Sequence, residues 1–305
     1  MISKEKLYWG DHPIHRFFDP DTGSGFSVAP DRGACLTELQ FRGISVLDGY
    51  RNAGELEALH WGKSALLAPF PNRLKDGRYK IGEEEYQFPI NDEARGNALH
   101  GFALDKPFEI FEEREDWIGL VYSYNGSLPY FPFPFSFRVS YALLSATEFE
   151  LSMELKNTGS RPMPAGMGWH PYFQLGVPVN SLHLKLPDVE RIEIDERMIP
   201  TGVRTPFTAF QSLEKIDQTP FDTGFHLLDS GKHSEVVLQF ENLRLHYWQE
   251  SQFPYLQVFI PPARQSIALE PMTCNIDAFN NGDGLRMLEP GEVLLGAAGI
   301  GFTPF

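Results

Sequence analysis

The sequence predicts an all-β fold: one large, mostly antiparallel β domain spanning residues 1–305, built as a sandwich or a distorted barrel. Three observations carry this. Apolar and polar residues alternate with period two through most of the chain. No segment of roughly 12 or more residues holds the 3.6-residue period of an amphipathic helix. Turn-forming residues recur at short spacing from end to end, with no linker, low-complexity tract or clear repeat.

The elements follow in chain order. GELEALHWG, residues 54–62, is long enough for two helical turns. LKDGRYKIG carries Asp76-Gly77, a hairpin signal because glycine tolerates positive φ. FPFPF, residues 131–135, cannot be a central strand, since its two prolines lack the ladder N–H. It reads as an edge or a loop plugging the core, or, more pointedly, as an aromatic wall beside a ligand. In FRVSYALLSATEFELSMEL, Phe137, Val139, Tyr141 and Leu143 share one face. Beyond a turn at 145–147, Phe149, Leu151, Met153 and Leu155 do the same, with Glu148, Glu150 and Glu154 facing away. VVLQFENLRLHYWQ is a second hairpin, turning at Glu241-Asn242. Further strands are expected at 256–260, 265–270 and 292–301.

Composition narrows the function. Hydrophobic residues at 42% and aromatics at 13% supply a large core and exclude bulk disorder. A formal net charge of −15 argues against nucleic acid or an anionic membrane surface as partner, since both require basic patches. Cys35 and Cys274 lie far apart and form no Cys-x-x-Cys, which fits a reducing cytoplasm. MISKEKLYWGDHPIHRFF lacks the apolar core of a signal peptide, and no apolar run reaches the roughly 18 residues of a membrane span.

Several residues carry candidate chemistry. His170, in MGWHPYFQLG, precedes a proline and is therefore held extended. Gly166 and Gly168 before it permit close approach of another backbone or a ligand. Alone, His170 reads equally well as a half-buried member of an aromatic cluster. Glu270, in QSIALEPMT, follows an apolar strand and also precedes a proline, a setting for a rigidly held base. Glu289-Pro290-Gly291 repeats the Glu-Pro pair in what looks like a plain turn, so the pair decides nothing by itself. Arg73 presents a planar fork of donors, or is a solvated hairpin base. His100 sits in GNALHGF between glycines, suiting a loop that admits a ligand. Asp222 lies between phenylalanines in TPFDTGFH, where a carboxylate can take sugar hydroxyls while a ring stacks on the sugar. His12 and His15 read as surface residues, and His183 and His246 as structural. No His-Glu-x-x-His or His-x-His is present, so no dedicated transition-metal site is expected.

The segments PNRLKDGRY, NALHGF, GWHPYF, DTGF and LEPMT occur in this order across the chain. Together they resemble the aldose 1-epimerase, or mutarotase-like, family. The resemblance runs over residues 24–303 and includes the opening SVAPDRGACLTELQFRGISVLDG. It implies a large galactose mutarotase-like β-sandwich, a small-molecule sugar substrate and no cofactor. It also implies His170 as general acid, Glu270 as general base, and Arg73, His100 and Asp222 as binders of sugar hydroxyls. Anomer exchange requires opening a cyclic hemiacetal: a base takes the C1 hydroxyl proton while an acid protonates the ring oxygen. To start as the acid, His170 must hold a proton, which a nearby carboxylate, Glu270 or Asp222, is expected to favour.

The chain departs from the galactose-active pattern at Trp169 before the histidine, at Phe102 after Leu-His-Gly, and at Pro271-Met272 after the glutamate. All three are expected to bear on the pocket and hence on which sugar is taken. A hexose 6-phosphate would need added positive charge, for which only Arg73, Lys75 and Arg95 offer themselves. A non-catalytic sugar-binding domain would not need both His170 and Glu270. A glycosidase using Asp222 and Glu270 as a carboxylate pair is the remaining alternative.

Overall fold

Two large antiparallel sheets face each other across the core of the computed structural model, which describes residues 1–228, 231 and 233–304. The architecture is a β-sandwich. The first sheet has nine strands, in the order Glu109–Glu113, Trp117–Tyr124, Phe135–Ser145, Glu148–Asn157, Val293–Pro304, Leu243–Glu250, His233–Phe240, His183–Lys185 and Glu214–Lys215. The second has eight. Seven run in the order Pro200–Phe207, Val189–Ile194, Asp222–Leu227, Tyr255–Phe259, Ile267–Met272, Gly168–His170 and Ala65–Leu67, and Tyr172–Phe173 also pairs with Ile267–Met272. A five-stranded meander from Ser3–Trp9 to Ile44–Ser45 packs alongside.

Alternation places the core. Strands Phe135–Ser145 and Glu148–Asn157 pair as expected, with Val139 opposite Met153 and Tyr141 opposite Leu151. Their apolar residues are buried and the intervening ones are not. Each such side chain contributes roughly 1.5–3 kcal/mol on burial, and a one-residue slip would turn them all to solvent. The strands Leu243–Glu250 and His233–Phe240 form the second expected hairpin, with Glu241 in the left-handed region at the turn. Phe173 meets Tyr247 across the two large sheets at a centroid distance of 5.8 Å. Phe26 of the meander meets Phe149 at 5.4 Å. Phe131, Phe133 and Phe135 are buried in this core, so FPFPF is the loop that plugs it and not a ligand wall.

Two expectations need correction. Asp76-Gly77 does form a turn, with both residues at positive φ, but the strands on either side do not pair with each other. Arg73–Lys75 pairs with Asn97–Leu99, and Arg78–Ile81 pairs with Glu84–Gln87. The Lys75 N–H is taken by the Asp277 carboxylate at 2.8 Å, and this competing acceptor sends the strand elsewhere. His12 is not a free surface residue. It is half-buried, and its Nδ1 lies 2.7 Å from Asp31. The 54–62 segment folds as an α-helix over Ala53–Ala58, capped by the Asn52 side chain, followed by a 3-10 turn over His60–Gly62.

Candidate active site

The outward face of the eight-stranded sheet carries the cleft. Its other face is core: Trp169, Phe173, Phe225, Leu256, Val258, Ile267 and Leu269 are buried there. The residues between them face the opposite way. Their register makes two parallel rows. Glu270 lies opposite Gln257, and Gln257 opposite Gly224. The pairings Gly168–Met272 and Tyr172–Ala268 flank His170 and set it beside Glu270 at the head of this row. The second row is Tyr172, Ala268, Phe259 and Asp222.

His170 and Glu270 touch: Nε2 lies 3.4 Å from Oε1. His170 is 6% exposed and Glu270 2%. Proline after each residue keeps its strand extended without breaking this contact. The His170 ring stacks on Tyr172, with centroids 5.1 Å apart and planes 20° apart. The glycines before His170 allow close approach of protein, not ligand. A Cβ on Gly168 would meet the Pro271 carbonyl oxygen at 2.8 Å, and one on Gly166 would meet Cys274 Sγ at 2.4 Å.

Burial sets the charges. It lowers the His170 imidazole to about 4 and pushes the Glu270 carboxyl well above its ordinary range. Asp222 adds to the rise of Glu270, while Arg73 opposes it. The expectation that a carboxylate keeps His170 protonated therefore does not hold in the unliganded protein. Burial thus disfavours the charged form of both groups, and their contact does not offset that loss of water.

Arg73, His100 and Asp222 are brought to the same cleft. Arg73 arrives on its short strand against Leu99. Its Nε donates to Asp92 at 3.0 Å and its Nη1 to Asn72 at 3.3 Å, which fixes the plane of the guanidinium. His100 Nδ1 accepts the Asn72 N–H at 3.3 Å, so its own proton is on Nε2. The His100 ring meets His170 edge-on, centroids 5.2 Å apart. Burial, with the nearby His170 ring and the Arg73 cation, holds it well below its ordinary range. Both His100 and Gly101 have positive φ, and a Cβ on Gly101 would sit 2.2 Å from the Ala68 carbonyl oxygen, so only glycine lets this loop dock. Asp222 is at the exposed mouth. Loss of water raises its carboxyl, against the pull of Arg73, Arg95 and the Gln257 amide.

Four participants escaped the sequence reading. Gln257 donates to Asp222 at 2.9 Å, between Asp222 and Glu270. A lone polar residue in the apolar strand YLQVF was the available signal. Asn72 precedes Arg73 and could have been read from the same motif. Asp92, which holds Arg73, and Trp61, whose carbonyl accepts the Tyr172 hydroxyl at 3.1 Å, carry no signal, since only the folded chain brings them here. Among the described residues, Gln257 Oε1 and Glu270 Oε2 are buried acceptors without a hydrogen-bond partner. Of the three departures, Trp169 and Phe102 are packed in the core and do not line the cleft. Met272 packs with Ile192 and Tyr255 in a small cluster of its own.

The family model for aldose 1-epimerase matches residues 21–297. This chain belongs to the aldose 1-epimerase family. It is 28% identical to the protein YihR of Escherichia coli strain K12 over 264 residues, covering 85% of this chain and 84% of that one. It is 29% identical to the galactose mutarotase of Mus musculus over 220 residues, 66% of this chain and 60% of the mouse protein. A galactose mutarotase-like protein from Clostridium acetobutylicum superposes with a TM-score of 0.88 at 22% identity, covering 100% of this chain and 99% of the other. This family's sandwich is therefore the fold of the chain. Among the described residues no helix is long and apolar enough to cross a membrane.

Proposed function

We propose that the protein interconverts the α and β anomers of a neutral hexose, with His170 as acid and Glu270 as base. The observation that carries this reading is the buried 3.4 Å contact between an imidazole and a carboxyl, the two groups that acid–base ring opening requires. Two unpartnered acceptors, Glu270 Oε2 and Gln257 Oε1, lie on the same floor and suit the hydroxyl donors of a sugar. Arg73, His100 Nε2 and Asp222 supply further polar partners around the ring.

The steps follow from the proton count. A hydroxyl donating to Glu270 stabilises the carboxylate, as Arg73 does, and the proton moves across the contact to His170. Glu270 then takes the C1 hydroxyl proton while His170 protonates the ring oxygen, and the C1–ring oxygen bond breaks. Rotation about C1–C2 presents the other face of the aldehyde. Closure returns both protons. Two of the three cations that a phosphate would call on, Arg73 and Arg95, are already paired with Asp92. That supports an uncharged ring over a phosphorylated one. The two free, buried cysteines fit action in the cytoplasm.

Anomer exchange followed by NMR on glucose, galactose, other hexoses and their 6-phosphates tests the reading. Fast exchange by the wild type, lost in His170→Asn and in Glu270→Gln, is expected. Sugar binding without exchange by the wild type would make this a binding domain instead.

A further inference from the structure

The polar groups around the acid–base pair stand on separate pieces of chain. Asp222 belongs to the eight-stranded sheet, and Arg73 to its own short strand. Asp92 and Arg95 belong to a turn that closes between Asp92 and Asn97. That turn works on Arg73 directly: Asp92 accepts the Arg73 Nε–H at 3.0 Å and lies 3.4 Å from Arg95 Nη1. Inside the turn, the Asp92 N–H donates to the Asn97 carbonyl at 3.0 Å and the Arg95 N–H to the Asp92 carbonyl at 3.1 Å. Those bonds fix the shape of the turn. They do not fix its place against the sheet.

A side chain from elsewhere does that. Val189–Ile194 and Pro200–Phe207 form a hairpin at one edge of the eight-stranded sheet, and Val189–Ile194 also pairs with the strand that begins at Asp222. Arg197 sits at the hairpin tip. The Asp195 carboxylate accepts the N–H of Arg197 at 2.9 Å and that of Ile199 at 3.0 Å, so the tip is held by its own chain. The Arg197 guanidinium reaches the turn, 102 residues earlier in sequence, where Nε donates to the Arg95 carbonyl at 2.8 Å. Nη2 donates to the Gly96 carbonyl at 3.0 Å, to Asn97 Oδ1 at 3.2 Å and to the Asp76 carboxylate at 2.8 Å. The Asn97 amide returns the contact, donating to the Arg197 carbonyl at 2.9 Å. Asn97 is fully buried and pairs with Lys75, two residues from Arg73. A Cβ on Gly96 would come within 3.3 Å of the guanidinium, so the turn is packed closely on it.

One planar fork thus joins the sheet of Asp222, the turn of Asp92 and Arg95, and the Asp76 end of the Arg73 strand. Asp76 is half exposed, so the ion pair alone contributes little. The bonds to the two carbonyls and the buried amide hold the turn. A lysine ammonium, a compact point charge, cannot span them in one plane. We infer that Arg197 is a positioning residue for sugar binding, which fixes the Asp92–Asn97 turn and, through Asp92, the plane in which Arg73 meets the sugar. This rests on the reading of Arg73 as a sugar-binding group. His170 and Glu270 stand on strands that Arg197 does not touch, so the effect falls on binding and not on proton transfer.

The test is a double-mutant cycle on hexose anomer exchange by NMR, with wild type, Arg197→Met, Arg73→Met and the double variant. Arg197→Met should raise KM about five- to tenfold and leave kcat within about twofold. In the Arg73→Met background, compared by kcat/KM, the same substitution should cost less than about twofold, because the group it positions is gone. Arg197→Lys should recover part of the loss, and it carries the cycle if Arg197→Met does not fold. Equal losses in both backgrounds would overturn the inference, since Arg197 would then serve stability alone. An unchanged KM, or a loss confined to kcat, would overturn it too. If the wild type exchanges no sugar, the acid–base reading has failed, and the cycle is read on the Kd of glucose and galactose by calorimetric titration. Coupled losses there support the positioning role and additive ones sink it. No binding of either sugar overturns both readings.

Discussion

The same strands make both faces of the eight-stranded sheet, and the faces differ by one residue of phase. Leu269 precedes Glu270, Trp169 precedes His170, and Leu256 precedes Gln257. The first of each pair is packed between the sheets and the second forms the cleft floor. On the core face, burial is favourable and shape alone matters. On the cleft face, burial is costly: it strips water from a carboxyl and an imidazole and leaves two acceptors unpartnered. The core residues on either side hold the cleft residues in place, so the sheet's stability pins groups that would not stay buried by themselves.

Exchanging chemistry for stability at adjacent positions breaks this comparison most sharply. Glu270→Gln and His170→Asn should each lower the exchange rate by about 10²–10⁴ while the protein stays folded. Trp169→Ala, one residue away, should destabilise by about 3–5 kcal/mol, because a fully buried indole leaves a cavity. Thermal unfolding and NMR exchange on all three variants would separate the effects. If Trp169→Ala left the melting temperature unchanged, the assignment of faces would be wrong.

The core face is legible in the sequence, because period-two alternation is a local property that the pleat reads directly. So are His170 and Glu270 as extended, pre-proline residues. Their meeting is not legible: the strands Gly168–His170 and Ile267–Met272 are about a hundred residues apart, and pairing register is set by the whole sheet. The charge state failed for the same reason. A carboxylate beside a histidine favours the ion pair only where water remains, and burial comes from strands that no motif names. The Asp76-Gly77 turn was visible, but not the Asp277 carboxylate that diverts its strands.

The charge difference between the faces gives a pH signature. Burial raises Glu270, so above the ordinary carboxylate range the native protein keeps a proton that the unfolded chain has lost, and stability falls as pH rises. His170 is lowered to about 4, so below its ordinary value the unfolded chain binds a proton that the native state refuses, and stability falls as pH drops. The two effects oppose each other in mildly acidic solution and only the first remains at alkaline pH. Glu270→Gln removes it. The variant's stability relative to wild type should increase as pH rises above the ordinary carboxylate range. Parallel melting profiles for the two proteins would refute the protonated carboxyl. Exchange activity should persist on the acid side until His170 titrates near 4, well below an ordinary histidine.

Gln257 tests whether the polar row acts as a unit. Gln257→Leu keeps the shape, removes the bond to Asp222 and leaves that carboxylate unsupported. The expected result is KM raised about tenfold, roughly 1.4 kcal/mol, with a smaller change in kcat. A drop in kcat equal to that in kcat/KM would instead mean that Gln257 is engaged only in the transition state.

The smallest effect belongs to the other Glu-Pro pair. Glu289-Pro290 repeats the local sequence of Glu270-Pro271, yet Glu289 is exposed at a turn where its own N–H donates to Glu292 at 2.9 Å. Its neighbour Leu288 ends a short strand paired with Met163–Ala165, far from the cleft in topology. Proline forces both glutamates into extended backbone, so that constraint is common to the two sites and cannot explain a difference between them. What differs is the sheet around Glu270: Gln257 opposite it on one side, and His170 in contact on the other. Glu289→Gln should therefore change stability by less than about 0.5 kcal/mol and leave exchange and its pH profile at wild-type values. A loss of exchange in that variant would mean that the proline, rather than the cross-strand neighbours, makes a glutamate a base in this fold.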